Sequence, residues 1–165
     1  MSSSTDRIEK RIFLRAPRER VWRAIADATQ FGSWFGVRFD REFAPGATMA
    51  GRVTPTTVDP EIAKMQEPHA GTRFEFVVDR IEPMELFSFR WHPFAIDPSV
   101  DYSDEPMTLV TFTLQAVPDG TMLTITETGF DAIPISRRGD AFEANGEGWA
   151  MQTVLLEKYV ARSAS

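Results

Sequence analysis

Phe142, Trp149, Thr153, Leu156 and Val160 recur at steps of three, four or seven residues, so they share one face of a long C-terminal helix. A helix with one apolar face needs a surface to cover it. The preceding segments offer one. Phe74 and Phe76, then Phe87, Phe89 and Trp91, then Val110 and Phe112 alternate with other side chains in the period-two pattern of strands with one buried face. Large rings on a sheet, gripped against a single helix, predict a layered α+β domain with space between the two layers. That space is the first candidate for function.

The other elements follow from local chemistry. Ile8, Lys10, Ile12 and Leu14 mark a first strand. Pro17 then opens a helix, with its φ already fixed and no hydrogen bond lost, and Val21, Trp22 and Ile25 form its buried face. A second short helix is expected from Asp27 to Trp34, broken at Gly32, followed by strands at Val37 to Phe43 and Met49 to Val53 around the Pro45-Gly46 turn. Residues 54–71, with three prolines, read as a loop. Arg73 to Ile81 and Leu86 to His92 form a hairpin, and so do Met107 to Ala116 and Thr121 to Thr128 around Asp119-Gly120. Between the hairpins, Pro93 to Pro106 is a second long loop carrying Asp97, Asp101, Asp104 and Glu105. The long helix is expected to be capped near Ser136.

At 165 residues the chain fits one domain, expected over residues 7–162 behind a disordered lead at residues 1–6. A formal charge of −6 opposes a nucleic-acid partner, whose footprint would be a basic stripe. The absence of cysteine removes disulfides, thiolate metal sites and a cysteine nucleophile, and fits a reducing compartment, with the cytoplasm as the default location. The start lacks the basic and apolar regions of a signal peptide, and no apolar run reaches the roughly 18 residues of a membrane span.

Four motifs occur in a family order. Ala16-Pro17-Arg18-Glu19-Arg20-Val21-Trp22, Phe31-Gly32-Ser33-Trp34-Phe35, Thr126-Glu127-Thr128-Gly129-Phe130, and Gly148-Trp149 followed by Leu155, Leu156 and Tyr159 together resemble the START-like, birch-allergen-like superfamily. The resemblance runs from about residue 7 to residue 162 and is nearest to the branch named for activators of the heat-shock protein 90 ATPase. It implies a helix-grip fold: a curved antiparallel sheet of six to seven strands wrapped around a long C-terminal helix, with two short helices after the first strand. Relatives on this fold include cyclases and hydrolases. The second, amino-terminal domain of the eukaryotic namesake has no counterpart here, so co-chaperone activity is not expected to follow from the name.

The expected function is binding of an apolar or aromatic small molecule between the C-terminal helix and the sheet. The residues expected to line that space are Trp34, Phe35, Phe39, Phe76, Phe89, Trp91, Phe112, Phe130, Phe142 and Trp149. Each ring taken alone could be ordinary core. Together, flat rings on a concave sheet pack less completely against one helix than branched aliphatics do. Gly146 and Gly148 interrupt the helix at a cost of roughly 1 kcal/mol each relative to alanine, which points either to close backbone approach or to a local bend.

Two rival functions remain. An enzyme using the same space would need titratable groups inside it; a buried carboxylate such as Glu127 or Glu143 with a strongly raised pKa would mark one. A chaperone-associated interaction protein follows only from the family name, and no docking motif supports it. His69 and His92 lack neighbours at ligand spacing, so no metal or other cofactor is expected, and His92 should face solvent. The acidic loop lacks the spacing of a calcium loop and reads as solvated. No nucleophile elbow, phosphate loop or dinucleotide fingerprint is present. A homodimer is compatible with the sequence but not specified by it.

Overall fold

The computed structural model describes residues 7–93 and 99–162. Seven strands form one antiparallel sheet: β1 (Arg7–Leu14), β2 (Val37–Phe39), β3 (Thr48–Val53), β4 (Arg73–Glu82), β5 (Leu86–Trp91), β6 (Thr108–Val117) and β7 (Gly120–Thr128). Their spatial order is β1-β7-β6-β5-β4-β3-β2, so consecutive strands pair as hairpins and the first strand closes against the last. Helices α1 (Arg18–Ala26) and α2 (Ala28–Phe35) follow β1, and α4 (Ile135–Arg162) ends the chain. This is the α+β helix-grip arrangement expected from the resemblance. At 28 residues α4 is about 42 Å long, and it contacts β1, α1 and α2. Trp149, Thr153, Leu156 and Val160 are buried as the helical spacing requires, while Phe142 is half-buried.

Three local expectations change. Helix α2 runs through Gly32 without a break and stops at Gly36, whose φ of 100° forms a left-handed cap with its N–H on Gly32 O. Gly32 serves close packing instead: a Cβ there would lie 2.0 Å from Val37 O. The strand expected over Val37 to Phe43 pairs only to Phe39. Within residues 54–71 lies a further helix, α3 (Pro60–Gln66), continued by a 3₁₀ turn at Glu67–His69. Asp59 caps α3 by accepting from the N–H groups of Glu61 and Ile62, and Pro60 occupies its first turn.

Gln66, at the end of α3, links two loops. Its Oε1 accepts from Thr56 N–H at 2.7 Å and its Nε2 donates to Phe35 O at 3.2 Å. The Phe35 carbonyl also accepts from Gln152 Nε2 of α4 at 3.1 Å. An end-of-helix carbonyl with no intrahelical partner is thus held by two side-chain amides, tying α2 to both α3 and α4.

Candidate functional site

The interior between α4 and the sheet is mostly filled by rings. Phe31, fully buried, lies within ring-contact distance of Trp34, Phe35, Phe39, Phe43, Phe76, Phe87, Phe89 and Phe112. Phe76 and Phe89 face each other across β4 and β5 with centroids 4.1 Å apart. Of the ten anticipated residues, Trp34, Phe35, Phe39, Phe76, Phe89, Trp91, Phe112 and Trp149 belong to this connected set. Phe130 and Phe142 form a separate pair, 5.3 Å apart and nearly perpendicular.

An opening of about 100 Å³ remains at one edge of the stack, lined by Phe35, Trp91, Ala144, Asn145, Gly148, Trp149 and Gln152. Trp91 and Trp149 stack at 5.6 Å with planes 30° apart, and Phe35 lies 6.3 and 6.2 Å from them. Helix α4 contributes Ala144, Asn145, Gly148, Trp149 and Gln152, which recur at helical spacing. A Cβ added at Gly148 would meet nothing within 4 Å, so close backbone approach does not explain this glycine; open space does. Larger hollows of about 400 and 800 Å³ lie by α2 and along β2 and β3, away from α4.

Glu127 stands behind the cleft. It alternates inward with Leu123 and Ile125 along β7 and has no exposed surface. Trp149 Nε1 donates to its Oε1 at 2.9 Å, and Trp91 Nε1 donates to its Oε2 at 2.8 Å. Asn145 Nδ2 reaches both oxygens at 2.9 Å, and the Thr108 hydroxyl donates to Oε2 at 2.5 Å. Four donors from β5, β6 and α4 therefore converge on one buried carboxylate, and three of them are walls of the cleft. Among the described residues no cation lies within ion-pair distance of it. An acceptor saturated by donors can be buried because its desolvation is offset by charge-assisted hydrogen bonds.

Gln152 is the other polar wall. Its Nε2 is committed to the Phe35 carbonyl, so its Oε1 points the other way, and that atom is buried without a partner among the described residues. Sequence reasoning missed Asn145, Gln152 and Phe31 as parts of this assembly. Glu127 was legible, because carrying the Leu123, Ile125 alternation forward places it on the core face.

His92, expected at the surface, is half-buried, and its Nδ1 is buried without a hydrogen-bond partner among the described residues. Ser88 on the same strand face is also buried, because an irregularity between Val78 and Arg80 brings Asp79 to accept its hydroxyl at 2.9 Å. In the acidic segment, Asp97 lies outside the described residues. Glu105 is not simply solvated, since its carboxylate accepts from Arg137 of α4 at 2.7 Å. Arg137 also stacks over Tyr102 at 4.7 Å and donates to Pro93 O at 3.1 Å, fastening the segment to the first turns of α4.

Residues 15–161 match the family model described as Activator of Hsp90 ATPase homolog 1-like protein. Among solved structures, protein MLL2253 from Mesorhizobium loti is 22% identical, with 95% of this chain and 98% of that one aligned at a TM-score of 0.68. A protein from Arthrobacter aurescens is 19% identical over 99% of this chain and 92% of its own, at a TM-score of 0.71. DynU16, a protein of the dynemicin biosynthetic locus, is 22% identical over 96% of this chain and 48% of its own, at 0.66. At these identities the likeness is one of fold. No protein of curated function matches the sequence.

Proposed function

The chain belongs to the Activator of Hsp90 ATPase homolog 1-like family, and we propose that it binds a small apolar or aromatic molecule where α4 meets the sheet. The observation that carries this reading is the cleft itself, with Phe35, Trp91 and Trp149 as walls and Gly148 leaving its mouth open. An ordinary helix–sheet seam would close such a gap with a side chain on α4, and alanine in place of glycine would favour the helix by roughly 1 kcal/mol. The fully buried Trp34, Phe76, Phe89 and Phe112, with the half-buried Phe39, form the packed floor, while Phe130 and Phe142 brace the helix beside it.

About 100 Å³ takes one ring or a small head group, so the rest of a larger ligand would lie outward along α4. Affinity would come from buried apolar area at about 25 cal/mol per Å², less the cost of ordering the ligand. The lack of cysteine and of any described helix long and apolar enough to cross a membrane fits a protein that meets its ligand in the cytoplasm. The chaperone reading draws only on the family description, whereas the binding reading draws on residues of this chain. Native mass spectrometry of the purified protein, before and after denaturation, tests it. A released apolar or aromatic species supports binding, and Trp149→Ala that folds yet retains that species undiminished overturns the placement.

A further inference from the structure

Resting on that binding reading, we propose that the cleft selects ligands carrying a positively charged nitrogen on an aromatic or apolar body. Three independent features favour this chemistry. Gln152 is 8% exposed, its amide orientation is set by the Phe35 carbonyl, and its buried Oε1 has no partner among the described residues, so the cleft wall contains an unsatisfied acceptor, which favours a donor-bearing ligand. Three of the seven lining residues, Phe35, Trp91 and Trp149, are aromatic, and the negative faces of such rings attract cations and leave anions unfavoured.

The electrostatic surroundings have the same sign. The carboxyl of Glu127 sits directly behind Trp91, Asn145 and Trp149 with no ion-pair partner among the described residues, so in its ionised form it projects a negative field into the opening through a low-dielectric wall. Along α4, Asp140, Glu143, Glu147 and Glu157 are the charged residues between Arg138 and Lys158, and no basic residue intervenes. Glu143 and Glu147 are exposed one turn apart and flank Ala144, Asn145 and Gly148 at the mouth. A neutral aromatic without a donor would satisfy the rings but leave the Gln152 oxygen unanswered, and a neutral donor such as benzyl alcohol would still leave the surrounding negative charge unanswered. An aromatic carboxylate would meet repulsion from both.

Isothermal titration of the intact protein with benzylammonium, benzyl alcohol and benzoate, at neutral pH and one low ionic strength, tests the selection. The expected order is benzylammonium tightest, by about tenfold over benzyl alcohol, with benzoate weakest. Gln152→Met, which removes the free acceptor while keeping a side chain of similar length, should narrow the ammonium preference without reversing it. Benzyl alcohol binding as tightly as benzylammonium overturns the charge selection and leaves the binding reading standing. Binding of none of the three overturns the binding reading as well.

Discussion

The indole N–H of Trp149 donates to Oε1 of Glu127 across 2.9 Å, joining the long C-terminal helix to the last strand through a carboxylate with no exposed surface. The same carboxylate receives Trp91 from β5 and Thr108 from β6, so one side chain bridges helix and sheet. The cleft beside Trp149 lies against this polar hub, while Leu155, Leu156 and Val160 farther along the helix are buried in the core.

Replacing Glu127 by Gln exchanges one acceptor oxygen for an amino group in a shell made of donors. At least one of Trp91, Thr108, Asn145 or Trp149 then loses its partner while buried. Urea unfolding should show a loss of about 2–4 kcal/mol, and Glu127→Leu, which orphans all four donors, should cost more. A Gln variant as stable as the parent would mean that the network does not hold the helix.

Two glycines should respond to alanine with opposite signs. At Gly32 the new methyl would lie 2.0 Å from a backbone oxygen that cannot swing away, so Gly32→Ala should destabilise by more than about 2 kcal/mol or fail to fold. At Gly148 the methyl meets open space within a helix, so Gly148→Ala should stabilise by about 0.5–1 kcal/mol. Thermal melts of the two variants check both signs.

Lys158 Nζ lies 2.5 Å from Asp59, the residue that caps α3, and this hydrogen bond holds the Asp59 carboxyl below its usual range, with the backbone N–H of Ile62 adding to the effect. A carboxyl lowered in the folded state contributes stability above its unfolded pKa of about 3.9 and loses it as pH falls through the folded value. The contribution is small because the pair is at the surface. Hydrogen exchange of α3 amides should therefore be flat from neutral pH down to about 4, once intrinsic rates are removed, and should accelerate below that; Asp59→Asn should show the faster exchange at every pH.

Much of the architecture was legible from periodicity. The alternation of Phe74 and Phe76, Phe87 to Trp91, and Thr121 to Thr128 located β4, β5 and β7, because a strand with one buried face writes that face into every second residue. Helix α3 escaped because its signals, Asp59-Pro60-Glu61, sit in a proline-rich stretch and none of its own residues is buried, so hydrophobic periodicity was silent there. The break assigned to Gly32 failed because a glycine needed for close approach looks the same in sequence as one that ends a helix.

The site was legible only as a region. Ring residues identify a wet or packed interior equally well, and eight of the ten anticipated residues prove to be mutually packed. What distinguishes the three that border open space is the absence of a side chain opposite them at Gly148, together with the long-range convergence on Glu127. Pairings such as Thr108 with Glu127, or Gln152 with Phe35, depend on tertiary register that no local pattern encodes.

The most direct measurement is the indole region of a ¹⁵N–¹H correlation spectrum, titrated with benzyl alcohol for the parent and for Gly148→Leu, whose side chain would fill the mouth of the cleft. Trp91 and Trp149 donate their indole N–H groups to Glu127 at the cleft, whereas Trp34 donates to Ala24 O in the core. The Trp91 and Trp149 signals should move in the parent, those of Trp22 and Trp34 should stay, and nothing should move in the folded Gly148→Leu protein. Equal movement in both proteins, or movement confined to Trp22 and Trp34, would contradict the binding reading.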